Sequence, residues 1–190
     1  MTSLGKDVIL KKRLSMQKDL RYPIGKFDRN VIVTEEMRKE FINTIESLPL
    51  QLRKEVENIS DQQLDTPYRD GGWTVRQVTH HLPDSHLNAY VRFKLALTED
   101  NPKIKTYEEH LWAELPDTFK TPIDVSLNLL ESLHKRWATL LNSLTDEKFE
   151  KTFQHPEWNK ITLSTTLALY AWHSKHHLAH ITELKKKMGW

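Results

Sequence analysis

Cysteine is absent from this chain of 190 residues. Its absence excludes disulfide bonds, thiolate metal ligands and a protein-borne thiol nucleophile. Long apolar runs are also lacking, because no segment approaches the roughly 20 residues that a membrane-spanning helix needs. The apolar residues 8–10, between Lys6 and Lys11, are too few for the core of a secretory signal. These absences predict a cytoplasmic protein with no membrane partner, whose chemistry depends on histidine, carboxylate or hydroxyl side chains.

The chain also lacks a large excess of positive or of negative side chains. The 28 lysines and arginines nearly balance the 26 aspartates and glutamates, and the two signs are mixed along the chain. We therefore expect no clustered basic surface of the kind that binds nucleic acid. The predicted partner is a small-molecule substrate, in keeping with the function expected below. The length suits one packed domain. Residues 1–21, which are rich in basic side chains and lack periodicity, are predicted to form an extension of uncertain order, and residues 22–190 the single domain.

Apolar residues that recur every three or four positions predict four long helices. Thr34 is expected to cap the first helix, which Pro49 should kink or divide. Thr74 is expected to cap the second, which runs towards Leu97 and which Pro83 should bend.

Two further helices are predicted in the second half of the chain. Thr121 followed by Pro122 is typical of an N-cap and a first helical position. Ser164 should open the last helix, whose closing lysines suit the negative end of the helix dipole. A short helix is predicted over residues 107–115 and a turn over 153–159, with no convincing strand. The predicted fold is all-α, a four-helix bundle with short helical insertions.

Four of the ten histidines fall within eight residues of the last helix, at positions 173, 176, 177 and 180. At 100° per residue, the apolar side of this helix is centred within about 60° of His177, so His177 should point into the bundle. His173 lies near the edge of the same side, His180 further round and His176 away from it. Residues four apart are neighbours on a helix, so His173 and His177 can share one metal ion.

Two imidazoles do not complete a metal site, and a facing helix should supply the third ligand. His80 and His81 are the candidates, and His81 lies beside the apolar face of the second helix. His86 should point elsewhere, and surface or packing roles are the default for the remaining histidines: His110, His134 and His155. A single inward histidine is more often a hydrogen-bonded core residue, whereas the pair with His81 favours a metal site.

Three neutral histidines leave an ion with its full charge and an open position, as in catalytic zinc sites. Such an ion could activate water for hydrolysis or deprotonate a thiol carried by a small cosubstrate, and the residues do not choose between these reactions. A non-catalytic metal-binding module is the third alternative. Ser174 stands where the H-E-x-x-H motif needs its glutamate, so no general base is identified. Asp84 could orient an imidazole, although an ordinary solvated aspartate is at least as common.

Several longer motifs carry a family resemblance. They are Tyr22-Pro23-Ile24-Gly25, the stretch from Leu64 to Val78, His80-His81-Leu82, Asp84-Ser85-His86, Trp172-His173-Ser174, His176-His177 and Met188-Gly189-Trp190. Together they resemble the YfiT-type metal-dependent hydrolases of the DinB-like superfamily, over residues 22–190. Pro83 departs from the family pattern, in which a small residue is expected.

The resemblance implies a DinB-like four-helix bundle, a cytoplasmic homodimer and one zinc or nickel ion per subunit. Carried over residue by residue, the ligands are His81, His173 and His177. Relatives in the superfamily include transferases that use bacillithiol or similar low-molecular-weight thiols. The expected function is therefore metal-dependent hydrolysis of a small substrate, with thiol S-transfer as the alternative.

Overall fold

The computed structural model describes residues 19–190. Four long helices dominate it, namely α1 (Glu35–Val56), α3 (Val75–Thr98), α6 (Ile123–Asn142) and α8 (Leu163–Met188). Four short helices lie between them, namely α2 (Asp61–Leu64), α4 (Glu109–Trp112), α5 (Pro116–Lys120) and α7 (Asp146–Phe149). None of the helices in residues 19–190 is both long and apolar enough to cross a membrane. The predicted all-α four-helix bundle is confirmed.

The long helices pack in a closed ring, in which α1 and α3 each contact both α6 and α8. Their buried side chains form two apolar clusters. The first, which includes Trp137 and Phe93, draws on all four long helices, and its α3 and α8 residues come from the C-terminal half of α3 and the N-terminal half of α8. The second also draws on all four, and its α3 and α8 residues, such as Leu82 and Ile181, come from the N-terminal half of α3 and the C-terminal half of α8. The middle of both helices, which carries the histidines, falls between the two clusters.

Both helices with an internal proline are continuous. α1 runs through Pro49 and α3 through Pro83, and both prolines are buried. Removing one backbone hydrogen bond therefore does not divide either helix, because tertiary packing on both sides of the proline holds it. Division of the helix at Pro49 is therefore excluded, whereas a kink there and a bend at Pro83 stay predictions.

Helix starts were predicted to within a residue or two. Thr34 and Thr74 are N-caps as expected, and each accepts a hydrogen bond from the backbone N–H three residues later. The third long helix begins at Ile123 and its N-cap is Pro122, so Thr121 lies one position outside and caps nothing. α8 begins one residue earlier than predicted and is capped by Thr162.

The segment predicted as a turn over residues 153–159 is a β-hairpin. Strand β1 (Thr152–His155) pairs antiparallel with β2 (Asn159–Thr162), with Phe153 opposite Ile161. These two residues are the buried ones of the pair and pack on the first apolar cluster. With one buried residue per strand, the alternation was too short to recognise in the sequence.

The predicted extension lies mostly outside the described residues, which begin at Asp19. The described end of it reaches the bundle, where the backbone carbonyl of Arg21 lies 3.4 Å from Nε2 of His180. The division of the chain at residue 21 stays a prediction.

Candidate metal centre

Three histidines converge between α3 and α8. Nε2 of His173 lies 3.3 Å from Nε2 of His81 and 3.1 Å from Nε2 of His177. His81 and His177 are buried and His173 is partly buried. Each of the three offers one ring nitrogen, and these nitrogens lie within 4.8 Å of one another. The structure therefore brings together the three residues predicted as metal ligands, although their role as ligands stays a prediction.

Burial keeps these imidazoles neutral. Desolvation lowers the pKa of His81 to about 3 and holds the pKa values of His173 and His177 well below the usual 6.5. A neutral imidazole has one lone pair, which is the form that binds a metal ion. Three uncharged nitrogen donors at this spacing fit a divalent transition metal, for which imidazole is a preferred ligand.

A chain of hydrogen bonds extends from His173 into the core. Nδ1 of His173 lies 3.1 Å from Nε2 of His86, and Nδ1 of His86 lies 2.8 Å from Nε2 of His134. Nδ1 of His134 in turn contacts the backbone carbonyl of Ile45 on α1. One chain of side chains thus links helices α8, α3, α6 and α1.

The carbonyl at the end fixes the direction of every bond in this chain. A carbonyl oxygen only accepts, so His134 donates from Nδ1 and its Nε2 accepts from His86. His86 then accepts at Nε2 the proton that His173 donates from Nδ1. The Nε2 lone pair of His173 is left free and faces His81 and His177. The chain therefore selects the tautomer of His173 that a metal ion requires.

The expectation that His86 would point elsewhere is wrong. His86 is fully buried beside Trp137 and Tyr170, and it contacts a predicted ligand directly. His134 was assigned a surface or packing role, and it is a buried member of the same chain. Helical phase on one helix could not show that α6 and α8 both face position 86. His80, the weaker candidate for the third ligand, instead contacts Ser126 Oγ on α6 at 2.7 Å.

A second group of histidines, His176, His177 and His180, also meets the spacing for a metal ion. All three are buried, which corrects the expectation that His176 and His180 point away, and Nδ1 of each lacks a hydrogen-bond partner among the described residues. This group comes from α8 alone, and neither His176 nor His180 has an imidazole partner orienting it from within the core. The first group draws on two helices and has such support at His173.

Both groups line one cavity of about 400 Å³. Its polar and charged lining besides the histidines consists of Arg21, Arg69, Glu109 and the two tyrosines Tyr22 and Tyr68, and its remaining wall is Trp73, Trp172 and the glycines 71 and 72. Trp73 lies against His81, with ring centroids 4.6 Å apart, and Trp172 stacks on His176 at 4.4 Å. The candidate metal centre thus opens into an aromatic-walled space that is large enough for a small molecule.

The acidic residues are placed differently from expectation. Asp84 does not line the cavity and, among residues 19–190, its carboxylate forms no hydrogen bond to an imidazole. His86, two positions later, takes the orienting role that was suggested for Asp84. Glu109, at the start of α4, does line the cavity, and desolvation raises the pKa of its carboxyl group. No spacing in the sequence indicated Glu109, because the loop before α4 carries it to the site.

Sequence comparison relates the chain to a family of known proteins. Residues 44–181 match the family model described as the DinB superfamily. The chain is 59% identical over 172 residues to proteins of Bacillus cereus and Bacillus anthracis, and the match covers 90% of this chain and 99% of each relative. Those relatives are provisionally named metal-dependent hydrolases.

Two solved structures are similar to the fold. YfiT from Bacillus subtilis, described provisionally as a metal-dependent hydrolase with an unusual four-helix bundle topology, is 52% identical with a TM-score of 0.87. That match covers 90% of this chain and 98% of YfiT. TT2238, a four-helix bundle protein, has 17% identity and a TM-score of 0.55 over 77% of this chain and 98% of its own, which shows the fold alone. The family resemblance seen in the sequence motifs is confirmed.

Proposed function

The chain belongs to the DinB superfamily, and on that basis we propose that it is a metal-dependent hydrolase of a small substrate, with His81, His173 and His177 as the metal ligands. The observation that carries this proposal is the convergence of three neutral imidazoles on a cavity, with a hydrogen-bonded chain that frees Nε2 of His173. The provisional hydrolase name of relatives at 59% identity supports it.

The ligand set indicates the class of metal. Three nitrogen donors without a carboxylate favour zinc or nickel over magnesium or calcium, which prefer oxygen. When bound, such an ion supplies a Lewis acid that polarises a substrate oxygen and makes water nucleophilic near neutral pH. Cytoplasmic location and a homodimeric state remain predictions from the family resemblance.

Glu109 is the proposed general base. It is the one carboxylate side chain that lines the cavity among the described residues, and desolvation raises the pKa of that carboxyl group. A carboxylate with a raised pKa accepts a proton more readily, which suits it to deprotonate an attacking water molecule. Its role is to hold that proton on a carboxylate oxygen and return it to the leaving group.

The test begins with protein stripped by a chelator and reloaded with zinc or nickel. We expect a panel of small esters and amides to be hydrolysed only by the reloaded protein, and His177→Ala to be inactive under the same conditions. Hydrolysis that continues unchanged after chelation would overturn the proposal. Formation of a thioether from an added thiol and an electrophile, without hydrolysis, would instead assign the S-transfer reaction.

Glu109→Gln separates the base from the metal ligands. We expect kcat to fall by about 10²- to 10⁴-fold, the usual contribution of a general base, with zinc content unchanged. Glu108→Gln is the matched control, because Glu108 is the neighbouring glutamate, is exposed as Glu109 is, and lies outside the histidine-lined cavity. Equal kcat in both variants would remove Glu109 from the mechanism.

A further inference from the structure

Three charged side chains from residues 19–190 line the cavity, and they differ in whether a counter-ion neutralises them. Arg21 is held by Asp19, whose two carboxylate oxygens accept from Nε and from a terminal nitrogen of the guanidinium at 3.0 Å each. Arg69 has no carboxylate partner among residues 19–190. Its one hydrogen bond is from a terminal nitrogen to the backbone carbonyl of Asp70 at 2.8 Å, and its Nε is buried without a partner. Most of the donor capacity of Arg69 is therefore unused.

The turn that follows Arg69 holds this side chain at the cavity. The N–H of Gly72 donates to the carbonyl of Arg69 at 2.9 Å, and Gly71 has a positive φ of 62°. A Cβ on Gly72 would lie 2.7 Å from Cγ of Arg69 and 3.1 Å from its carbonyl oxygen, so only glycine fits beneath the arginine. The turn thus positions the stem of Arg69 tightly.

The head of Arg69 is oriented by an aromatic ring. Its guanidinium carbon lies 5.5 Å from the ring centroid of Tyr68, which stacks on the His180 imidazole at 3.9 Å. Such contacts orient a guanidinium without using its N–H groups. Arg69 is therefore anchored next to the histidine cluster with donors left over for a ligand.

From these observations we propose that Arg69 is an anion-binding subsite, and that the substrate is a small ester or amide that carries a carboxylate or phosphate group away from the bond that is cleaved. The inference rests on the proposed function, since it names the substrate class for that same site. A planar guanidinium with free donors matches an oxyanion in a bidentate manner.

The other charges of the cavity favour the same class of substrate. The imidazoles are uncharged, and Arg21 is already paired with Asp19. Among the described residues Glu109 is the single acidic side chain in the lining, and its charge balances that of Arg69. A divalent ion held by the three histidines would add two positive charges and would make the cavity attractive to anionic ligands.

The test compares probes that share one metal-binding group. Zinc-loaded protein is titrated calorimetrically with acetohydroxamate, which is uncharged beyond its hydroxamate, and with the monohydroxamates of succinate and glutarate, which add a carboxylate. Of the two carboxylated probes, we expect the one that binds wild type more tightly to have an affinity about tenfold higher than that of acetohydroxamate, which is the gain that one charged hydrogen bond provides. In Arg69→Met this ratio of affinities should fall to about one, with zinc content and acetohydroxamate affinity within about twofold of wild type.

Two controls complete the design. Arg21→Met combined with Asp19→Asn removes the paired arginine together with its counter-ion, so the net charge is unchanged and the ratio should stay near the wild-type value. Arg69→Lys keeps the charge without the planar fork and should retain part of the preference. A ratio of one in wild type, or an unchanged ratio in Arg69→Met, would overturn the anion subsite while leaving the metal centre intact. Failure of every hydroxamate to bind zinc-loaded wild type would overturn the proposed function and the subsite together.

Discussion

At the scale of single residues, the proposed ligand role of His173 depends on two histidines that do not belong to the group of three. His86 accepts the Nδ1 proton of His173, and His134 orients His86. Sequence reasoning could place His81, His173 and His177 on the inward sides of their helices, because helical phase reports which side of its own helix a residue occupies. It could not identify His86 or His134, because their partners lie on other helices and only the packed bundle brings them together.

The orienting role of His86 is tested by His86→Phe. Phenylalanine keeps the ring that packs on Trp137 and Tyr170 but removes the acceptor for His173. We expect zinc affinity, measured by competition with a chromophoric chelator, to fall by about 10- to 100-fold, as for other partners of metal-bound histidines. Partial recovery in His86→Gln, which can again accept and donate, would distinguish hydrogen bonding from packing. Unchanged zinc affinity in His86→Phe would show that the hydrogen bond from His86 does not support metal binding by His173.

At the scale of elements, apolar spacing predicted the long helices because each buries one side along many turns. The hairpin was missed because its two strands of four residues bury one side chain each, Phe153 and Ile161. Pro49 does not divide its helix for a related reason. Propensity describes an isolated helix, whereas α1 and α3 are stabilised by packing around Pro49 and Pro83.

Helix capping provides a prediction at this scale, because two threonines looked alike in the sequence. Thr74 caps α3 in a capping box with Gln77, whereas Thr121 precedes α6 without a capping hydrogen bond. We expect Thr74→Ala to lower the free energy of unfolding by about 1 kcal/mol, which lowers the melting temperature by about 2–4 °C. Thr121→Ala should change it little in the same thermal denaturation experiment. Equal losses of unfolding free energy in the two variants would show that the capping hydrogen bond of Thr74 does not stabilise α3.

At the scale of the whole molecule, the four long helices place a layer of polar imidazoles between two apolar clusters. Both α3 and α8 contribute side chains to each cluster, with their histidines in between. Composition and length predicted one packed domain but could not show this layering, which depends on how the helices are aligned along the bundle. The buried imidazoles make the stability of the metal-free protein depend on pH.

The part of this pH dependence that comes from His134 can be measured. Burial lowers the pKa of His134 from 6.5 to about 4, so the unfolded chain takes up a proton at a higher pH than the folded chain. The contribution of His134 to the free energy of unfolding is therefore fully present above about pH 6.5 and is lost as the pH drops towards about 4. Between pH 7.5 and pH 4.5 this one group accounts for about 2.5 kcal/mol. In urea denaturation of metal-free protein, His134→Gln should lose less stability on acidification than wild type, and an identical loss would contradict the assignment.

Zinc or nickel content, measured by mass spectrometry of purified protein, tests whether His81, His173 and His177 hold one metal ion. We expect about one ion per chain in wild type and in His110→Ala, which changes an exposed histidine outside the cavity. In His177→Ala we expect less than about a tenth of that content, because the loss of one of three ligands opens the site. Equal metal in wild type and His177→Ala would contradict the assignment of the site.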